Sequence, residues 1–413
     1  MSGENTVATL NGNFKEVYAD NIKDLVPDGV FLYNEIPFVA EKQTNGNLYH
    51  QPVTLRLEHG FTYGGSAGSA FALNGFIAGQ MKDAQVQGTE LVLRSAISIA
   101  AASRAQNDGN SFERATKYVV ANMIRSISRR LEVSLLYGQI GLGVVSANAA
   151  GVLSISADSF APGIWAGGEG MILEAFTTNV SGATQHNGDL TISVVNFEDK
   201  KITVTGTSSA VVADDILFIK GAFDGTDHND FAGLYRIITN TGSLFGINAA
   251  TYNLWKGNNI TTAQDISFAA IESAISKGVA KGLADEDVCV MVNIDHWPVL
   301  LTEQDAKRQY DSSYKGDKME AGARHIEFQG INGRIKIVPS IYVKGSEAFI
   351  VPLDELLRIG STDVTFEIPG RKDEFFKLLE NANGYELRAY TDQALFCAAP
   401  GKCIILSDLN VPA

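Results

Sequence analysis

Gly64-Gly65-Ser66-Ala67-Gly68 satisfies G-x-S-x-G, the spacing that places a serine on the nucleophile elbow of a hydrolase. That chemistry needs a strand, a sharp turn and a helix in succession, so that the hydroxyl is exposed and the N–H groups after it face an oxyanion. The residues that follow, SAFALNGFIAG (69–79), carry no helical period. Ser66 is therefore read as part of a pliant loop, and the chain is expected not to be an enzyme. None of the histidines, His50, His59, His186, His228, His296 and His325, sits in a recognisable acid–base motif, and all are expected to be lone surface residues. Asp224, Asp227, His228 and Asp230 in DGTDHND offer oxygen and nitrogen ligands, but they miss the alternate-position spacing and closing glutamate of a calcium loop. A solvated turn is the expectation there. There is no G-x-x-x-x-G-K-[ST], no H-E-x-x-H and no paired C-x-x-C, and GGEG at 167–170 lacks dinucleotide-binding context. No catalytic, metal or cofactor site is expected.

The totals narrow the class further. Lysine and arginine number 33 against 47 acidic residues, a net of −14, so sequence-independent grip on nucleic acid would need a local basic patch. Cys289, Cys397 and Cys403 make an odd count without C-x-x-C spacing, which suits a reducing compartment and requires no disulfide. The amino end lacks a basic segment followed by an apolar core, and no run reaches the roughly 18 apolar residues of a membrane span. Export by a signal peptide and insertion in a membrane are not expected.

Certain elements must position these residues. Residues 1–45 are turn-rich, with Pro27, Gly29 and Pro37 breaking short apolar pieces, and are expected to run as an extended arm rather than a core. Val53, Leu55 and Leu57 alternate with polar residues, and a second alternation follows at Leu91, Leu93, Ile97 and Ile99. The two predict a long two-stranded excursion over 46–100. Its glycine-rich tip carries Phe61, Tyr63, Phe71 and Phe76, aromatics most easily explained if a partner surface buries them. SFERATKYVVANMIRSISRRLEVSLLYG (111–138) predicts a helix capped by Asn110 and Glu113, stopped by Gly138, and about 40 Å long. Its apolar stripe is Phe112, Val119, Met123, Ile127, Leu131 and Leu135, with Arg125, Arg129 and Arg130 off it. From about 165 to 260, alternating strands and Asn/Gly turns predict a small antiparallel barrel or sandwich. Phe268, Ile271, Ile275, Val279 and Leu283 mark a further helix. VCVMV (288–292) reads as a central buried strand with a helix after it, and IKIV, YELRAY, ALFC and CIIL as late strands.

An arm, a long two-stranded loop, a strut helix, an α/β body with a β insertion and returning strands: this order resembles the major capsid protein of tailed bacteriophages, the Hong Kong 97-like fold. GINGRIKIVPSIYV and YELRAYTDQALFCAAPGKCIIL are similar to the late strands of such proteins. The resemblance implies an α+β chain with an N-arm at 1–45, an extended loop at 46–100, and spine helix plus part of the peripheral domain at 101–165. It further implies a β-rich insertion at 166–262, an axial domain at 263–368, and peripheral return strands with a closing axial segment at 369–413. The implied function is self-assembly, without catalysis, into pentamers and hexamers of an icosahedral shell around double-stranded DNA. Portal and possible scaffolding or decoration proteins would be partners, DNA would be held without sequence readout, and the setting would be the virion after assembly in the host cytoplasm. Phe61, Tyr63, Phe71, Phe76, Lys82, Arg125, Arg129 and Arg130 are the expected inter-subunit contacts. An encapsulin-type compartment shares the fold and is the alternative, with the G-x-S-x-G hydrolase more remote. Lys82 is the only lysine between Asn45 and Arg94, but no asparagine or acid aligns with it to imply a crosslink.

Overall fold

The reading of residues 29–39 as an arm fails on burial. In the computed structural model, which describes residues 27, 29–39, 48–66, 68, 70–100, 115–308, 326–367, 375–380 and 382–412, helix α1 (Leu32–Glu35) leaves Leu32 with no exposure, and Ile36 is as deep. Buried Glu132 accepts the N–H groups of Phe31 (3.1 Å), Leu32 (3.0 Å) and Tyr33 (2.8 Å), the orphan donors of that turn. Burial pushes its carboxyl above the ordinary range, and these three bonds oppose the rise. The anchor lies 100 positions away, so local composition carried no trace of it. Strand β1 (Phe38–Val39) continues into the body. Apart from Pro27, the rest of 1–45 lies outside the described residues.

The excursion is a hairpin, but its partners differ from those expected. β2 (Tyr49–Arg56) pairs with β3 (Gln80–Val86), while β4 (Thr89–Ser98) leaves to join the body. Leu57 and Ile99 fall beyond the strand ends. β3 reads QMKDAQV with only Ala84 and Val86 buried, so it lacked an alternation to find.

Helix α2 (Ala115–Tyr137) buries Met123, Ile127, Leu131 and Leu135, as the stripe predicts; the proposed cap at Asn110 and Glu113 lies outside the described residues. It is a strut only in part, because from Leu131 to Gly138 every residue is buried. Gly138 ends the helix for a reason other than backbone handedness. A side chain there would stand 2.2 Å from the Phe231 carbonyl, and it is Gln139 that takes the left-handed conformation.

The β insertion is a closed barrel that begins earlier and ends sooner than expected. Its strands are β5 (Gly143–Ala149), β6 (Val152–Ile155), β7 (Ile172–Phe176), β8 (Gln185–Asn196), β9 (Lys201–Thr205) and β10 (Ile216–Ile219). The short helix α3 (Pro162–Trp165) interrupts them. Closure comes from β10 against β5, with Ile216 opposite Val144. Leu153, Leu173, Leu190, Ile202 and Leu217 have no exposure, so side chains fill the interior as a small barrel requires. Residues 220–262 leave the barrel through α4 (Leu234–Ile238), the small pair β11 (Ser243–Leu244) and β12 (Ile247–Asn248), and β13 (Asn258–Thr261).

A six-stranded sheet follows. Its order is β13, β21 (Ile404–Ser407), β17 (Ala348–Val351), β14 (Val288–Asn293), β16 (Arg334–Ser340) and β15 (Ile326–Gln329). β14 is central and buried throughout, as its unbroken apolar run predicts. One face carries α5 (Phe268–Val279) and α6 (Trp297–Arg308), with Ile271 and Ile275 packed among Val290, Val292 and Ile350. Leu283 is buried beyond the end of α5. Met291, Phe349 and Ile405 face the other way, into the core shared with α2 and the barrel.

The return strands form a five-stranded sheet in which β20 (Gly384–Cys397) lies between β18 (Leu356–Thr365) and β19 (Phe376–Leu378), with β1 beside β18. YELRAY and ALFC are thus one strand, not two. Along β20, β4 pairs at every residue from Thr89 opposite Gln393 to Ser98 opposite Gly384. Arg358 locks the amino-terminal residues to this sheet: Nε donates to the Ile36 carbonyl (3.0 Å), Nη1 to Asp363 (2.9 Å) and Gln393 (2.9 Å), and the guanidinium lies 4.3 Å from the Tyr33 ring centroid.

Candidate inter-subunit surface

The β2–β3 hairpin is rooted by few residues. Tyr49, Ala84 and Val86 are buried, with Tyr49 edge-on to Phe396 at 5.5 Å, and the Gln85 N–H donates to the Phe245 carbonyl at 3.0 Å. Beyond the root the two arms touch mostly each other. His59 N–H donates to the Ile77 carbonyl (3.1 Å), Asn74 N–H to Thr62 Oγ1 (2.9 Å) and Asn74 Nδ2 to the Phe61 carbonyl (2.8 Å).

On this frame Phe61 is 69% exposed, Tyr63 92% and Phe71 54%, while Phe76 is fully exposed. Leu57, Leu73, Ile77 and Met81 are exposed beside them. Each aromatic ring could bury about 150–250 Å². Four exposed large rings on one hairpin are more apolar surface than a lone soluble chain usually leaves in one segment. Ser66 lies exposed between Gly65 and Gly68, both left-handed, and no helix follows among the described residues. A side chain on Gly64 would stand 2.3 Å from Phe71 Cε1, so this glycine is there to let the ring approach the backbone. Lys82 is exposed on β3 opposite Val53.

The arginines of α2 lie elsewhere. Arg129 turns inward: Nε donates to Tyr342 Oη (3.1 Å) and Nη2 to the carbonyls of Gly163 (3.0 Å) and Ala166 (2.6 Å). Arg130 Nη2 donates to Asp230 (3.2 Å), which also accepts from Ser134 Oγ (3.0 Å). Both line a groove of about 450 Å³ with Leu93, Leu142, Met171 and Ile219. Arg125 is half-buried on the same helix. The arginines and the aromatic tip are thus separate features, and the intrachain partners of Arg129 and Arg130 were not foreseeable from spacing.

The five-stranded sheet offers a second apolar surface. Val92, Phe366, Phe375 and Tyr390 line a pocket of about 330 Å³ with Lys377, Glu386 and Arg388. Arg94 Nε (2.8 Å) and Arg388 Nε (2.5 Å) both donate to Glu386 Oε1, and these bonds hold its carboxyl at about 2.

Four of the histidines are not the lone surface groups expected. His296 is buried with Nε2 2.6 Å from the Gly345 carbonyl, and His228 stacks on Phe223 at 4.3 Å. His186 and His50 pair with Asp215 (2.8 Å) and Asp83 (2.5 Å). His59 is exposed, and His325 lies outside the described residues. In DGTDHND the groups diverge: Asp224 accepts the N–H groups of Thr226 and Asp227, while Asp230 faces α2. No cluster of three or more potential metal ligands occurs among the described residues. Nor is any described helix long and apolar enough to cross a membrane.

No family model matches the chain, and no curated protein does. Solved structures do. A chain of the cyanophage A-1(L) capsid asymmetric unit is similar over 98% of this chain and 99% of that one, at 10% identity and a TM-score of 0.59. A capsid chain of a native GTA particle is similar over 99% and 100%, at 9% identity and a TM-score of 0.51. Among the described residues the fold is mixed helix and strand, and it is similar to that of these capsid chains.

Proposed function

We propose that this chain is the major capsid protein of a tailed phage, assembling through pentamers and hexamers into an icosahedral shell that encloses double-stranded DNA. The observation that carries the reading is the match over nearly the whole length to a phage capsid chain. In this reading α2 is the spine helix, the β2–β3 hairpin the extended loop, and the six-stranded and five-stranded sheets the cores of the axial and peripheral domains. The barrel is the insertion. Phe61, Tyr63, Phe71 and Phe76 are buried on a neighbouring copy, whose five-stranded sheet offers apolar surface of the matching kind. Each such contact can be weak, because a closed lattice engages many at once. Portal and scaffolding or decoration proteins are further partners, and packaged DNA is held without sequence readout.

Negative-stain imaging of the purified full-length protein tests this reading. Closed shells of uniform diameter, with co-purifying nucleic acid, are expected. Shells filled with an enzyme cargo would make it a compartment protein, and a chain that stays monomeric at all concentrations and salts would end the proposal.

A further inference from the structure

The shell reading leaves one cluster of reactive groups unused. Cys397 ends β20 and Cys403 immediately precedes β21, so the pair flanks the short link between the five-stranded and six-stranded sheets. Their sulfurs are 3.6 Å apart, and neither residue has any exposure. The backbone on both sides is fixed. Cys397 is in register with Leu356, Cys403 N–H donates to the Pro400 carbonyl (3.0 Å), and the Cys403 carbonyl accepts from Asn258 N–H (3.0 Å). Each thiol is thus held against the other, out of reach of bulky thiols.

We propose that Cys397 and Cys403 form a dithiol site for two-electron oxidation by a small peroxide, closing to an intrachain disulfide that staples the two sheets together. One sulfur attacks a peroxide oxygen; the O–O bond breaks, giving a sulfenic acid and a first water. The second sulfur displaces the hydroxyl from the sulfenic sulfur as a second water, and the S–S bond forms at about 2.05 Å. Two thiols lose two protons and two electrons, and one hydrogen peroxide becomes two waters. Hydrogen peroxide is close to water in size, so it can enter where glutathione cannot. With the second thiol in contact, the sulfenic acid is intercepted before another peroxide arrives. The contact with Cys397 and burial hold the Cys403 thiol well above its ordinary range, so the reaction is slow and accelerates with pH. Cys289, in β14, is the internal control: burial pushes its thiol up to about 12, and its strand neighbours are Val351 and Lys336.

The test takes the full-length protein, pre-reduced, through a hydrogen peroxide series. The reaction is quenched with catalase, and the protein is denatured in iodoacetamide for intact-mass and peptide analysis. Alkylated cysteines should fall from the three of the untreated chain to one, Cys289. A peptide joining Cys397 to Cys403 should appear, dithiothreitol should restore all three, and the rate should rise about tenfold per pH unit. Cys403→Ser should give no such peptide and leave a sulfenic acid at Cys397 that dimedone traps when included in the denaturing quench. Three alkylated thiols persisting throughout would overturn the proposal, as would equal consumption of Cys289 or sulfinic and sulfonic acids at 397 and 403 in place of the bridge. The wild-type peptide map decides even if the serine variant does not fold.

Discussion

The barrel and the hairpin are both antiparallel, both rich in glycine and polar turns, and stand in opposite relations to solvent. Six short strands close on themselves in the barrel, so every strand has two neighbours and the apolar face points inward. The hairpin has two strands whose outer edges are open beyond the Gln85–Phe245 bond at its root, and its large apolar groups point out. An isolated ribbon of that kind is marginal in water. The barrel buries its apolar groups within this chain, whereas the hairpin leaves its own to what it touches.

Substitutions can break this contrast. Charges at the tip, Phe61→Asp with Phe76→Asp, should abolish shell formation in sedimentation while shifting the denaturation free energy of the dispersed chain by no more than about 0.5 kcal/mol. Normal shells from the double variant would remove the hairpin from the interface. Leu190→Ala, inside the barrel, should do the reverse and cost about 2–5 kcal/mol by urea unfolding.

Glycines sharpen the contrast on a smaller scale. Gly206 has φ +118°, and an added Cβ would stand 2.6 Å from the Asp189 carbonyl, so Gly206→Ala should cost about 1–3 kcal/mol. Gly65, with φ +67° and nothing within 4 Å, should cost about 1 kcal/mol when changed to alanine, because only the backbone conformation opposes the side chain. The smallest effect concerns Glu386 at the hairpin's base sheet. Its folded carboxyl, at about 2, lies below the ordinary value of about 4.5 because Arg94 and Arg388 donate to it. The stabilisation it gives is therefore complete above about 4.5 and is lost as pH falls toward 2. Glu386→Gln should flatten that part of the acid-unfolding curve and leave neutral pH little changed.

Local periodicity made much of the interior legible. Met123, Ile127, Leu131 and Leu135 on α2, Phe268, Ile271 and Ile275 on α5, and the unbroken run of β14 all report burial through spacing alone. Elements defined by distant partners were hidden. β3 is polar because it needs only Ala84 and Val86 at its root, and β18 is broken by two register shifts after Ile359. Leu32 and Ile36 look like arm residues until Glu132 and Arg358 are brought to them. At the candidate surface the four aromatics were legible, since large rings in a glycine-rich stretch lack burial of their own. Arg129 and Arg130 were not, because carbonyl acceptors at Gly163 and Ala166 leave no mark in composition.

β20 supplies neighbours to β4, β18 and β19, and Gln393 accepts from Thr89 across 304 positions of chain. At ordinary translation speeds that interval is on the order of tens of seconds. A nascent chain therefore carries its hairpin before there is a finished platform to hold it. The five-stranded sheet can close only after its last strands, β19 and β20, have been made.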